Sequence, residues 1–211
     1  MFVPEEFRST DHEWMTAVVR DHPLALLTTN GPQVPFATHT PVIPESDVPT
    51  EIGATLLGHF NRANPHWEAL TYGIGARLAF VGPSGYVTPT IYQTTLAAPT
   101  WNYVAVHLQG TLEPLEGLDQ TLDVVRRTIA AFEPRFGDQW DPEPSLSYFR
   151  RIGGGVGAFR FTVTDVDGQF KLSQDKQPDV RDRVASWFET ASSGNYRDLG
   201  ALMRDFEAET P

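Results

Sequence analysis

Between Gly58 and Trp67 the chain concentrates side chains that bind anions and exchange protons: His59, Asn61, Arg62 and Asn64. They fall where a strand-like run gives way to a short helical segment. A helix start offers free N–H groups, and an arginine beside it offers a planar fork suited to phosphate. The same residues also fit a capped helix with a surface arginine, and local chemistry alone does not separate the two. His59 and His66 are seven positions apart, which is neither the i,i+4 spacing of helical zinc ligands nor a zinc-protease motif. Histidine titrates near neutral pH, so either His39 or His59 suits proton donation or acceptance.

A second group is Pro99-Thr100-Trp101-Asn102-Tyr103. Trp101 and Tyr103 share one face of a strand, flanked by Thr100 and Asn102. Such a face can stack an aromatic ligand and fix it by hydrogen bonds. For the two rings taken alone, an ordinary core strand is the stronger reading. A third group, Lys171, Ser173 and Gln174, places a cation, a hydroxyl and an amide in what reads as a loop after a turn. The stretches 59–64 and 99–103 are expected to line one hollow.

Other motifs carry less. Gly153-Gly154-Gly155-Val156-Gly157 has a helix before it and a strand after it, the reverse of a dinucleotide fingerprint, and reads as a loop. Gly82-Pro83-Ser84-Gly85 lacks the spacing of a nucleophile elbow and reads as a turn. Asp165-Val166-Asp167-Gly168 lacks the remaining ligands of a calcium loop and reads as a hairpin turn.

The elements that must position these groups follow from periodicity. Asp11 starts a short helix carrying Trp14, Val18 and Val19 on one face. Leu24–Thr29 and Gln33–Thr40 are strands joined at Asn30-Gly31, a hairpin signal. On the second strand Val34, Phe36, Thr38 and Thr40 share a face, and Pro35, Ala37 and His39 share the other. Thr55–Phe60, Arg77–Val81, Tyr86–Thr90, Trp101–Leu108 with its continuation past Gly110, Val156–Val166 and Gln169–Leu172 complete the strands. Helical spacing covers Asn61–Leu70, Gly117–Phe132, Ser145–Ile152 and two segments in 178–208. Many short strands with interspersed helices predict an antiparallel β-barrel with peripheral helices, an α+β fold. Residues 1–175 are expected to form the barrel domain and 176–211 a helical extension packed on it.

The 211 residues include no cysteine, which excludes disulfides, thiolate metal sites and cysteine nucleophiles. The net charge of −11 argues against a nucleic-acid partner, because phosphate neutralisation needs a basic surface. No apolar run reaches the length of a membrane span, and the start has no signal-peptide pattern, so no membrane association is expected and the cytoplasm is the expected location.

Taken in order, Ala37-Thr38-His39-Thr40-Pro41, Gly58-His59-Phe60-Asn61-Arg62-Ala63-Asn64-Pro65, Gly82-Pro83 with Tyr86-Val87-Thr88-Pro89, Pro99-Thr100-Trp101-Asn102-Tyr103 and Lys171-Leu172-Ser173-Gln174 resemble the PaiB family, described as FMN-binding negative transcriptional regulators. The resemblance runs from residue 2 to about 190. It implies a split β-barrel like those of flavin reductases and pyridoxamine-phosphate oxidases, paired as a homodimer with FMN at the subunit interface. It implies that His59, Asn61, Arg62 and Asn64 face the FMN phosphate and that Thr38, His39 and Thr40 run beside the isoalloxazine. Trp101, Asn102, Lys171, Ser173 and Gln174 would then close the pocket, from the partner chain.

The chain also departs from the family pattern. It has Thr38-His39-Thr40-Pro41 for Ser-His-Leu-Pro, His59-Phe60-Asn61-Arg62 for His-Leu-Ala-Arg, and Ile91 where the family has tryptophan. A changed pocket wall changes substrate choice, as in a tailoring enzyme of a biosynthetic pathway. Three functions follow. The first is an FMN-dependent oxidoreductase with His39, His59 and Tyr103 as catalytic candidates and a small-molecule substrate. The second is a regulator acting through a protein or metabolite. The third is a cofactor-free pocket enzyme that reuses the barrel. Haem is permitted by the histidines, but nothing selects it.

Overall fold

The computed structural model describes residues 1–94 and 96–209. In chain order its elements are β1 (Arg8–Ser9), α1 (His12–Asp21), β2 (Leu24–Thr29), β3 (Phe36–Pro44), β4 (Thr55–Asn61), α2 (Pro65–Glu68), β5 (Ile74–Val87), β6 (Thr100–Leu115), α3 (Leu118–Phe136), α4 (Leu146–Ile152), β7 (Val156–Lys171), α5 (Pro178–Glu189) and α6 (Gly194–Glu209), with four short 3₁₀ turns between them. The strand order is β1-β7-β4-β3-β2-β5-β6, and β6 also pairs with β7. The sheet therefore forms a partial ring, with the two-residue β1 paired to β7 alone. Every ladder with a defined register is antiparallel. This is the expected α+β split barrel. No helix among the described residues is long and apolar enough to cross a membrane.

The chain divides into two compact units. The larger comprises His12–Phe80 and His107–Val166; the smaller comprises Met1–Asp11, Val81–Val106 and the chain from Asp167 onward. In the larger unit, β4 buries the adjacent Leu56 and Leu57 and β7 buries Ala158 and Phe159, so both faces of these strands are covered there, while Phe161 and Val163 alternate with less buried neighbours. α3 lays Val124 and Phe132 against Ile43, Leu57 and Leu115. Burial of each large apolar side chain contributes about 1.5–3 kcal/mol. Glu45, just after β3, receives Arg127 Nη1 at 2.7 Å and Arg160 Nε at 2.8 Å, tying the loop to α3 and β7. Burial pushes its carboxyl up, but the hydrogen bonds from Arg160 and Arg127 outweigh that and bring it down to about 2.

In the smaller unit α5 and α6 pack on each other. Trp187, Phe188 and Tyr196 form an aromatic cluster, with Phe188 and Tyr196 edge to face at 5.2 Å. Phe170 of β7 stacks on Phe206 of α6 at 5.7 Å. Arg204 of α6 bonds Asp182 at 2.5 Å and Ser186 Oγ at 2.7 Å, both on α5.

Several elements differ from the sequence expectation. Gly82-Pro83-Ser84-Gly85 is not a turn: β5 runs through it without a break. Gly85 is required there by packing, since a Cβ would lie 2.4 Å from the Phe188 ring. Asp167-Gly168 is likewise inside β7, and Asp167 takes the N-terminal ammonium at 2.5 Å. Lys171 accordingly ends a strand rather than following a turn, with Ser173 and Gln174 just beyond it. β3 begins at Phe36 instead of Gln33, with Thr29 opposite Phe36, because Pro32 and Pro35 have no N–H for the ladder. The helix expected over Asn61–Leu70 is a single turn, Pro65–Glu68.

Candidate functional site

Where β4 ends, the chain turns sharply and every polar side chain of the turn is engaged. Asn61 Oδ1 accepts the Ala63 N–H at 2.8 Å. Asn64 caps α2, its Oδ1 accepting the His66 N–H at 3.0 Å, with Pro65 in the first turn. Its Nδ2 donates to Thr38 Oγ1 at 3.1 Å. Arg62 donates its backbone N–H to Gly155 O and its Nε to Val156 O, both at 2.9 Å. Its guanidinium lies 5.1 Å from the centre of the Trp67 ring.

The glycine run gains its meaning here. A Cβ on Gly157 would sit 2.4 Å from the Trp67 ring, so only glycine lets that ring lie flat on β7. The run is a 3₁₀ turn leading into a strand, not a phosphate loop. Arg62 is thus held by Nε and by its stack, while its two outer nitrogens have no carboxylate within ion-pair distance among the described residues. Arg62 and Trp67 line an open cavity of about 1080 Å³, together with Tyr72, Gln120, Glu113 and Glu116.

Behind the turn lies a buried polar chain that sequence reading did not single out. His66 is 1% exposed. Its Nδ1 is 2.9 Å from Thr38 Oγ1 and its Nε2 is 2.9 Å from Thr29 Oγ1. Phe36 stacks on the ring at 5.1 Å and 13°. Burial lowers the His66 pKa, so the ring is neutral at physiological pH. Its partners lie 28 and 37 residues away in sequence, so only the threonines of neighbouring strands signalled it.

The other expected residues of this unit fall as follows. Thr38 is half-buried beside that chain and His39 points outward, exposed. Thr40 is fully buried, and its hydroxyl donates to His59 O at 2.7 Å. His59 is half-buried, its Nδ1 is enclosed without a partner among the described residues, and burial lowers its pKa. Among the described residues no cluster of three or more His, Asp or Glu could hold a metal.

The smaller unit holds the rest. Trp101 is half-exposed and meets Tyr86 edge to face at 6.2 Å; Tyr103 is half-buried. Asn102 and Ser173 are buried and bond each other, Asn102 Nδ2 to Ser173 Oγ at 2.9 Å and Ser173 Oγ to Asn102 Oδ1 at 3.2 Å. Ser173 has φ +66°, in the left-handed region. Gln174 folds back onto the backbone, Oε1 accepting the Leu172 N–H at 2.7 Å and Nε2 donating to Phe170 O. Lys171 Nζ donates to Thr100 Oγ1 at 2.6 Å and sits over the Phe7 ring. Lys171, Asn102 and Tyr92 line a cavity of about 590 Å³. The Tyr92 hydroxyl is enclosed without a partner among the described residues. The predicted residues thus fall in two groups, Thr38–Asn64 in the larger unit and Trp101–Gln174 in the smaller; of the first group Arg62 lines the larger unit's cavity, and of the second Asn102 and Lys171 line the smaller unit's.

Comparison with known proteins adds the family. Residues 1–165 match the family model described as "Putative FMN-binding domain". The chain is 26% identical over 210 residues to the protease synthase and sporulation protein PAI 2 of Bacillus subtilis, covering 97% of each chain. It is 25% identical over 226 residues to an uncharacterized protein of Emericella nidulans, covering 89% of this chain and 90% of that one. Among solved structures, an FAD and heme binding protein of Mycobacterium smegmatis superposes with a TM-score of 0.58 at 16% identity, over 85% of this chain and 79% of the other. The flavocytochrome Anf3 of Azotobacter vinelandii gives 0.59 at 17% identity, over 82% and 74%. At that identity the structures bear on the fold alone, and the fold they share is the flavoprotein split barrel. With the matched region covering most of its length, the chain belongs to the PaiB-like family of FMN-binding domains, and FMN is the cofactor that membership assigns to it.

Proposed function

We propose that this chain is an FMN-dependent oxidoreductase acting on a small organic or biosynthetic intermediate. The observation that carries the reading is the turn after β4. Arg62 is pinned by Nε and its stack on Trp67 with its outer nitrogens open, beside a cavity of about 1080 Å³. That volume suits a cofactor with a substrate. The residues fit FMN in kind: a guanidinium fork for phosphate, a half-buried hydroxyl at Thr38 and an exposed imidazole at His39 for the ring edge. Glu68, Glu113 and Glu116 on the same cavity oppose a second anion, so the reading assigns phosphate charge to Arg62 and not to the cavity floor.

When bound, the flavin supplies hydride or electron transfer. The chain supplies position and protons. His39, exposed, and His59, desolvated and neutral, are the candidates to exchange a proton with substrate, and Tyr103 is the third. Thr40, Asn102, Ser173 and Gln174 spend their polar atoms on the protein itself, so their part is to hold the backbone of the two groups. Trp101, half-exposed, and Lys171 close the pocket from the partner subunit in a homodimer.

The net charge of −11 weighs against a regulator that contacts DNA directly. The test is spectroscopic: purified protein loaded with FMN is yellow, and its visible band bleaches anaerobically with NAD(P)H and recovers when a substrate is added. A flavin-loaded protein that no nicotinamide reduces removes the NAD(P)H-dependent enzyme. A colourless protein that takes up no FMN removes the reading.

A further inference from the structure

We propose that His66 is a positioning residue that fixes the Thr38 hydroxyl as a hydrogen-bond donor toward the flavin. The proposal rests on the flavin reading above and deepens it.

Thr29, His66, Thr38 and Asn64 form a chain whose protons can be placed one by one. Thr29 is 4% exposed, and the polar neighbour of its hydroxyl is His66 Nε2 at 2.9 Å. A buried hydroxyl with one polar neighbour donates to it, since an unplaced O–H hydrogen costs more than an unused lone pair. Nε2 is then an acceptor. His66 is enclosed, is lowered in pKa by burial, and has no carboxylate within ion-pair distance among the described residues, so the ring is neutral. Its single proton therefore lies on Nδ1 and points at Thr38 Oγ1, 2.9 Å away. Thr38 Oγ1 also accepts from Asn64 Nδ2 at 3.1 Å. The Asn64 amide is set the right way round because its oxygen is taken by the His66 N–H.

With two donors directed at its oxygen, Thr38 has one lone use left for its own hydrogen. That hydrogen is then left to point away from the chain, and Thr38 itself is half-exposed. The opposite tautomer would turn the hydrogen inward and present no donor. Phe36 stacks on the ring, and a flipped ring would put Cδ2 and Cε1 where Nδ1 and Nε2 now meet the two threonines, forfeiting both hydrogen bonds. Flavin rings carry carbonyl and imine acceptors along one edge. A hydroxyl locked as a donor favours that edge, and favours it more as reduction adds electron density there.

The first test needs no flavin. Nitrogen-15 long-range correlation spectra of the apo-protein identify the tautomer of each of its six histidines, and His66→Gln assigns the resonance. The expected result is a neutral His66 protonated at Nδ1 at pH 7, with the proton shifted toward Nε2 in Thr29→Val. A ring protonated at Nε2 in the wild type overturns the proposal.

The second test is a cycle of FMN dissociation constants for wild type, His66→Phe, Thr38→Val and the double variant, with Thr38→Ser as the conservative control. Loss of one oriented hydrogen bond weakens FMN binding about tenfold in His66→Phe. Because His66 acts through Thr38, the double variant binds no more weakly than Thr38→Val, and Thr38→Ser retains wild-type affinity. The midpoint potential of bound FMN falls in the same variants. Equal losses from His66→Phe in both backgrounds mean general damage and overturn the proposal, as does wild-type affinity in His66→Phe. If that variant does not fold, His66→Gln takes its place in the cycle. A wild type that binds no FMN refutes the flavin reading itself, and the proposal with it.

Discussion

Replacing Glu45 with glutamine keeps the shape of the side chain and removes its charge. In the wild type, Arg127 and Arg160 bond its two oxygens and draw its pKa from 4.5 to about 2. A depression of that size corresponds to roughly 3 kcal/mol of linkage. The arginines are 38% and 39% exposed, although Glu45 itself is 16% exposed, so water screens the pair and about half survives, ~1.5 kcal/mol. The carboxyl is depressed in the folded state, so its contribution is fully present above pH 4.5 and is lost as pH falls toward 2. Urea denaturation of wild type and Glu45→Gln should therefore give a gap of about 1–2 kcal/mol at pH 7. The gap should stay flat down to pH 5 and shrink below 4.5. Coincident midpoints at pH 7, or a gap that does not narrow between pH 5 and the onset of acid unfolding, would refute the reasoning.

Two further perturbations test the walls of the candidate site. Gly157→Ala places a Cβ 2.4 Å from the Trp67 ring. It should destabilise the protein by about 1–3 kcal/mol and shift the Trp67 fluorescence, identified by difference against Trp67→Phe; an unchanged spectrum contradicts it. Asn102→Ala leaves the buried Ser173 hydroxyl without a partner at a left-handed backbone position. It should cost about 1–3 kcal/mol in thermal denaturation and loosen the 171–174 backbone in hydrogen exchange, whereas wild-type stability would mean that the pair is dispensable.

Much of this architecture is legible from periodicity. Leu24–Thr29 and Thr55–Phe60 read as short strand-like runs and are strands, and α3 is apolar at helical spacing from Leu118 onward. The two misread turns share one cause. Gly82-Pro83-Ser84-Gly85 and Asp167-Gly168 carry turn chemistry, yet each is held in a long strand by partners far off in sequence: Phe188 over Gly85, and the N-terminal ammonium on Asp167. Local propensity cannot register a contact made a hundred residues away.

The site divides in the same manner. Arg62 and Asn64 stand out because their types suit a polar turn between a strand and a helix start. His66 does not, because its role depends on Thr29 and Thr38, which join it only after β2 and β3 have paired. Glu45 is hidden for a similar reason, its two arginines lying on α3 and β7. Thr40, Asn102 and Ser173 look like ligand-binding residues in sequence, but their polar atoms are consumed internally.

FMN titration of the purified apo-protein, followed by flavin fluorescence and the visible absorbance spectrum, tests the central claim most directly. Saturation at one FMN per chain, with quenched fluorescence and a structured flavin band, is the predicted result, and Arg62→Met should weaken it. Free-flavin fluorescence that stays unchanged as protein is added in excess would contradict the account.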